Sequence, residues 1–271
     1  MSEGLSLRIV VKLGGSLLTE LELLHKIIAQ LGEVQDHQHD VIVVHGGGQQ
    51  IRHYLEQLKI PSHFHRGLRV TDSASMQVVQ MVLAGLINKD IVAAFARNHR
   101  LAVGLCGGDG SSFIARKFVD HGTQPEDFDY GFVGEIVHGE PKLVDLLLSE
   151  GYFPVIACIG LGEESAYYNV NGDEMAAAVA IFCRAERLVF LTDVPGVLDA
   201  EKKVIPSLTR ARMEELRASG AISEGMLPKT RACERALENG IRQIHIVSGK
   251  MRDGLSRILV QSELLGTAIS P

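Results

Sequence analysis

The stretch RIVVKLGGS, from Arg8 to Ser16, reads as a buried strand that ends on a lysine and opens into a glycine loop. Its β-branched run, Ile9 to Val11, is too short for a helix and suits a parallel strand covered on both faces. Lys12 stands where the strand gives way to Gly14, Gly15 and Ser16, so an ammonium meets backbone N–H groups that no bulky side chain obstructs. A helix predicted to start near Glu20 would aim its positive end at the same space, as at an anion site. Taken alone, Lys12 could equally be a lysine escaping to solvent at a strand end.

The pattern recurs. Leu21, Leu24, Ile27, Ile28, Leu31 and Val34 follow at helical spacing, and Val41 to Val44 form a second strand that runs into His45, Gly46, Gly47 and Gly48. Another amphipathic helix follows, with Ile51, Tyr54, Leu55 and Leu58 on one face. Strand, glycine turn and helix, repeated, are the units of an open parallel sheet whose ligands sit beyond the strand carboxyl ends.

Pro61 to Val70 is predicted as an extended or hairpin excursion turning at Gly67, with Arg69 just before a long helix that Thr71 caps and that Gly85 and Asn88 allow to kink or break. Further strands are expected at Leu101 to Leu105, Phe153 to Ile159, Leu188 to Leu191, Ile244 to Val247 and Ala268 to Ile269. Between Ser111 and His138 the alternation suggests an antiparallel excursion around a polar loop at Pro125, after which Pro141 opens a helix and Gly151 closes it. In YYNVNGD, Asn169 and Asn171 project to one side if extended, and Asp173 falls at a helix entry, as an N-cap or as a site carboxylate. Thr209 can cap a helix through Met213 and Leu216. Pro228 then starts another with Lys229 in its first turn, where a cation opposes the macrodipole unless an anion lies beside it.

The expected fold is therefore α/β: an open, mainly parallel sheet sandwiched by helices, in two lobes. The 271 residues give each lobe a core of its own. A net charge of −6 disfavours nucleic acid as the main partner, so an anionic substrate must be held locally. The apolar runs are strand-sized and the N-terminus has no basic, then apolar, leader, so a cytoplasmic protein that avoids the membrane is expected. Cys106, Cys158, Cys183 and Cys233 are widely spaced and read as reduced, mostly buried residues. His63 and His65 lack a nearby cysteine or acidic ligand, so no metal site is expected.

Glycine-rich strand ends, two lysines, an arginine and an aspartate suit two anions that repel one another, which is what phosphoryl transfer requires. A carboxylate acceptor is already ionised and needs no general base. The sequence contains no GxxxxGK[ST] loop, no GxGxxG fingerprint with a following acid, no HRD or DFG signature and no GxSxG elbow.

KLGGS at Lys12 to Ser16, HGGG at His45 to Gly48, GLRVT at Gly67 to Thr71, NVNGD at Asn169 to Asp173, TDVPGVL at Thr192 to Leu198 and GMLPK at Gly225 to Lys229 resemble the amino acid kinase family, in its order and over essentially the whole chain. The GLRVT and NVNGD pair is most similar to the acetylglutamate-phosphorylating branch. The resemblance implies transfer of the ATP γ-phosphoryl group to the γ-carboxylate of N-acetyl-L-glutamate, in arginine biosynthesis. It also implies that Lys12 and Lys229 stabilise the phosphoryl group in flight while Asp173 holds the lysines. By the same resemblance Gly14, Gly15, Gly47 and Gly48 offer N–H groups to phosphate and substrate, and Arg69 and Asn169 grip the acceptor. Asp193, Val194, Pro195, Gly196, Val197 and Leu198, with Ala221, Ile222 and Ser223, match the nucleotide-binding stretches, and Mg²⁺ travels on ATP. Residues 1–171 then form the acyl-substrate and dimerisation lobe and residues 172–271 the nucleotide lobe.

Gly172, Glu224 and Gln49 depart from the family's usual alanine, glycine and proline. The first strand begins almost at once, without the extra N-terminal helix of arginine-inhibited relatives, so an arginine-insensitive homodimer is expected. The rival readings are a sibling kinase acting on a carrier-linked aminoadipate or glutamate, a catalytically silent nucleotide sensor and a Rossmann dehydrogenase.

Overall fold

The structure is a computed structural model describing residues 6–120, 128–199, 201–220, 222 and 226–271. The loop expected around Pro125 and the positions Ala221, Ser223, Glu224 and Gly225 lie outside the described residues. The chain runs β1 (Arg8–Leu13), α1 (Leu21–Asp36), β2 (Asp40–His45), α2 (Gly48–Gln57) and the hairpin β3 (Phe64–His65) with β4 (Leu68–Arg69). It continues through α3 (Ser73–Gln80), a π-helical stretch (Met81–Ile87), α4 (Asn88–Arg97), β5 (Ala102–Leu105), β6 (Phe113–Lys117), β7 (Val133–Gly139), α5 (Lys142–Ser149), β8 (Phe153–Ala157), β9 (Ile159–Leu161) and β10 (Tyr167–Val170). The last part is α6 (Gly172–Phe182), β11 (Arg187–Thr192), β12 (Ser207–Thr209), α7 (Arg210–Ala218), α8 (Leu227–Glu238), β13 (Gln243–Ser248), α9 (Gly254–Leu259) and β14 (Thr267–Ser270).

One eight-stranded sheet in the order β12-β14-β13-β11-β1-β2-β8-β5 organises the molecule. From β13 to β5 the neighbours are parallel, as the apolar runs implied, while β14 turns antiparallel to β13 and carries β12 beside it. The short β12 was not foreseen. Strand β1 lies centrally, its Lys12 in register with Val44 of β2 and Phe190 of β11, and the chain fills the sheet on one side of β1 before the other. This is the switch point where an open α/β sheet leaves a crevice beyond its carboxyl edge. Strands β6, β7, β9 and β10 close into a small separate barrel, with β6 and β7 antiparallel as expected.

Helix α6 is apolar all round, from Met175 to Ala180, because it is wedged between the sheet and α8; its alanines allow that close approach. Helix α1 behaves as predicted except that Leu21 stays 61% exposed. Asp72, not Thr71, caps α3 by accepting from the Ser75 N–H, while the Thr71 hydroxyl turns back to the Arg69 carbonyl. Gly85 and Asn88 bring no break: the backbone widens into π turns and runs on as α4. The expectation of strand-sized apolar runs also needs correction. Ser73–Arg97 is one helical stretch of 25 residues with a window of mean hydropathy 1.6, membrane-like by length and composition, yet half of that window is buried inside the fold.

The four cysteines are free, and all but Cys106 are buried. Among the described residues two histidines, His45 and His245, are buried as well. Burial lowers the pKa of His45 and of His245 to about 4 from 6.5. Neither ring nitrogen of His245 has a partner among the described residues. The unfolded chain binds protons at these rings below about pH 6.5, which the folded chain refuses until about pH 4. Stability is therefore complete above that window and falls as the pH drops through it, by about 3 kcal/mol for each ring. His245→Phe is expected to flatten the acid side of a melting-temperature profile without altering turnover; an unchanged acid slope would contradict this account.

Candidate active site

Lys12, Asp173 and Lys229 meet at the carboxyl edge of β1. Both ammonium nitrogens lie 2.9 Å from the same carboxylate oxygen, Oδ1 of Asp173. All three side chains are largely buried, with exposures of 13%, 13% and 8% for Lys12, Asp173 and Lys229. Burial pushes the Asp173 pKa upward, but the charges of Lys12 and Lys229 and their hydrogen bonds overcome it and bring the carboxyl to about 2. Lys229 is shifted down: burial acts most strongly, Asp173 opposes it, and the charge of Lys12 adds to the lowering. The Lys229 ammonium also sits 4.6 Å from the centre of the Phe190 ring. One carboxylate thus serves two cations, and the cluster carries a net positive charge in a largely dry place.

The local sequence explains this placement. Lys12 is the penultimate residue of β1, and Lys229 occupies the first turn of α8 behind Pro228, where the helix dipole disfavours a cation unless negative charge is near. Asp173 was read either as the α6 cap or as a site carboxylate. The cap is Asn171, whose Oδ1 accepts from the N–H groups of Asp173 and Glu174, leaving the Asp173 carboxylate to the lysines.

A cavity of about 420 Å³ opens beside the cluster and is lined by Lys12, Gly15, Gly47, Gly48, Arg69, Asn169 and Asp193 among others. Gly47 precedes α2, and a Cβ there would stand 2.2 Å from Ile87 Cδ1 and 2.8 Å from Leu83 Cδ2, so a larger residue would have to push these two side-chain ends aside for the loop to lie against the π stretch. Arg69 is 7% exposed. It donates to the Gly48 carbonyl at 3.0 Å and to the Ser62 hydroxyl, and its guanidinium lies 4.6 Å from the centre of the Phe64 ring. Burial, then the nearby charge of Arg52, lowers its pKa. Among the described residues no carboxylate pairs with it. Asn169 donates to the Thr71 hydroxyl at 3.2 Å.

Gly14 departs from its expected role. Its N–H donates to the Leu191 carbonyl at 2.9 Å, and a Cβ would stand 2.9 Å from that oxygen, so this glycine lets the ends of β1 and β11 approach. Among the described residues of the expected nucleotide stretches, only Asp193 lines the cavity. Val194, Pro195 and Gly196 follow it in a loop, Val197 is buried with its N–H donated to the Thr267 hydroxyl, and Leu198 bridges to Val204. Ile222 is 7% exposed. His65 stacks on Phe128 at 4.0 Å between ring centres. Arg52 and Phe64 were not singled out from the sequence, yet both line the cavity. Arg52 stands one helical turn after Gly48, on the face that the glycine loop presents, so its spacing was a usable signal.

A sheet switch point that holds surplus positive charge against glycine turns belongs to an enzyme that moves phosphoryl groups. Residues 7–248 match the amino acid kinase family, and the chain belongs to that family. It is 41% identical over 268 residues to the acetylglutamate kinase of Mesorhizobium japonicum, covering 97% of this chain and 90% of the relative. It is also 41% identical over 270 residues to the acetylglutamate kinase of Aquifex aeolicus, covering 96% and 91%. Among solved structures, the smu.665 protein of Streptococcus mutans UA159 superposes with a TM-score of 0.82 at 27% identity, covering 97% of this chain and 98% of that one.

Proposed function

We propose that the chain transfers the γ-phosphoryl group of ATP to the γ-carboxylate of N-acetyl-L-glutamate, giving an acyl phosphate in arginine biosynthesis. The observation that carries this reading is the shared carboxylate: Asp173 neutralises only one of Lys12 and Lys229, so the cluster is completed by an anion arriving between donor and acceptor. In this reading the lysines spread the charge of the phosphoryl group in flight, and Gly15, Gly47 and Gly48 offer N–H groups to phosphate and acceptor. Arg69 and Asn169 hold the acceptor's other polar groups.

Asp193 to Leu198, with Ala221, Ile222 and Ser223, hold the nucleotide. The donors around the cavity suit anions, and Mg²⁺ arrives on the ATP phosphates, where it neutralises further charge. Residues 1–171 bind the acyl substrate and residues 172–271 the nucleotide, and their closure excludes water. We also propose a cytoplasmic homodimer, supported by Met81 and Leu86, which are 58% and 41% exposed on the π stretch, and by Leu101, 60% exposed beside the edge strand β5. Light scattering is expected to give twice the chain mass of 29.5 kDa.

A hydroxylamine trap tests the reaction. Protein with Mg-ATP and N-acetyl-L-glutamate is expected to yield hydroxamate, and glutamate or aspartate is not. Hydroxamate only with a carrier-linked glutamate or aminoadipate would replace the proposed acceptor; none with any acceptor would remove the kinase reading. Arg69→Ala is expected to raise the acceptor KM by about tenfold or more while kcat changes little, because a buried guanidinium recognises a carboxylate in ground and transition states alike. Loss of kcat at unchanged KM would contradict that role.

A further inference from the structure

We infer that Asn88, which does not line the cavity, is a positioning residue: through the His45 ring it holds the Gly46–Gly47 peptide so that the Gly47 N–H faces the acceptor. This rests on the reading above, in which that N–H meets the acceptor or its phosphate. Asn88 is 1% exposed and opens α4 directly after the π stretch. The orientation of its amide is fixed by two neighbours with no choice of polarity. The Lys89 ammonium can only donate, and it lies 3.1 Å from Oδ1; the Val155 carbonyl can only accept, and it lies 2.9 Å from Nδ2.

The same Nδ2 lies 3.1 Å from Nε2 of His45. An amide nitrogen donates, so Nε2 accepts, and the one proton of the neutral ring sits on Nδ1. Nδ1 then donates to the Gly46 carbonyl at 3.0 Å. The ring is neutral because burial lowers its pKa to about 4 against the opposing pull of that carbonyl, with the charges of Lys12 and Lys89 adding to the lowering.

A chain of forced polarity therefore ends on one peptide plane. In a trans peptide the carbonyl and the following N–H point in opposite directions, and no described peptide is cis. With the Gly46 oxygen turned back to the buried ring, the Gly47 N–H is turned away from it, toward the cavity that Gly46, Gly47 and Gly48 line. Among the described residues that N–H has no acceptor. The π stretch supplies the backing: Leu83 and Ile87 occupy the space where a Gly47 Cβ would be. An inserted π turn is what allows one helix both to press on the loop and to bring Asn88 under His45.

Two variants and one spectroscopic readout test this. Asn88→Ala removes the donor, and kcat is expected to fall by about tenfold or more, a part of the hundredfold typical for losing an oxyanion donor, with the acceptor KM less affected. Asn88→Asp keeps the shape but offers an acceptor to Nε2, so Nδ1 keeps its proton only when the ring is an imidazolium. Its kcat is expected to fall as the pH rises through the ring's pKa, a limb the parent protein lacks. Lys12 and Lys89 face the ring and oppose its protonation in both proteins. Nitrogen-15 spectra of histidine-labelled protein, with His45 assigned by His45→Gln, are expected to show the Nδ1-protonated tautomer in the parent and its loss in Asn88→Ala.

Parental kcat in Asn88→Ala would overturn the inference. A lower kcat with the parental tautomer, or Asn88→Asp without the new pH limb, would reduce Asn88 to packing and overturn it equally. If the parent made no hydroxamate with any acceptor, the kinase reading would fail by itself, and the tautomer experiment would still decide whether Asn88 sets the peptide.

Discussion

Lys12→Ala and Lys229→Ala are each expected to lower kcat by about a hundredfold or more while moving the acceptor KM only a few-fold, measured with saturating Mg-ATP. The reason lies in the charge balance. Asp173 touches both ammoniums with one oxygen, so the resting site carries one positive charge in excess. Removing either lysine leaves a neutral pair, which is comfortable without substrate and has nothing left for the developing charge of the transferring phosphoryl group. Because the two lysines share one partner, the double variant is expected to be less impaired than the product of the single losses. A variant that kept kcat and lost only acceptor affinity would reassign that lysine to ground-state binding.

Much of this arrangement was legible from local pattern. Lys12 at the end of a β-branched run and the HGGG turn after the next strand are both consequences of a parallel sheet, so the crevice beyond β1 and β2 could be placed from the sequence. Lys229 was legible because a cation in a helix's first turn needs a reason. What escaped was set by contacts across long sequence separations. Gly14 looked like a free N–H donor, and its commitment to Leu191 depends on β11 lying beside β1. The π stretch could not be read because Gly85 and Asn88 signal a break as well as a widening. Asn171 and Asp173 both suit a cap, and only the presence of Lys229 beside Asp173 decides between them. The closed barrel of β6, β7, β9 and β10 depends on a single bridge between Ile114 and Leu161 that no local pattern announces.

Asp173→Asn is expected to damage activity as severely, and to leave a pH signature that distinguishes charge from capping. In the parent, the Asp173 carboxylate, held at about 2, is the principal group opposing the burial that lowers the Lys229 pKa. Without it, two buried ammoniums face each other with no counter-ion, and Lys229 gives up its proton at lower pH than before. Transfer needs the ammonium, so kcat of the variant is expected to fall as the pH rises through that lowered pKa. Stability moves the other way. A lysine whose folded pKa is depressed binds fewer protons folded than unfolded, so between the two pKa values the variant becomes more stable as the pH rises. Removing one partner of a buried ion pair costs about 3–5 kcal/mol, so near-neutral melts are expected to be clearly depressed and to recover toward alkaline pH. Asn171 still caps α6 in this variant, so neither effect can be put down to a lost helix cap. If kcat stayed within tenfold of the parent and both profiles ran flat, the carboxylate would be structural and the charge argument for this site would fall with it.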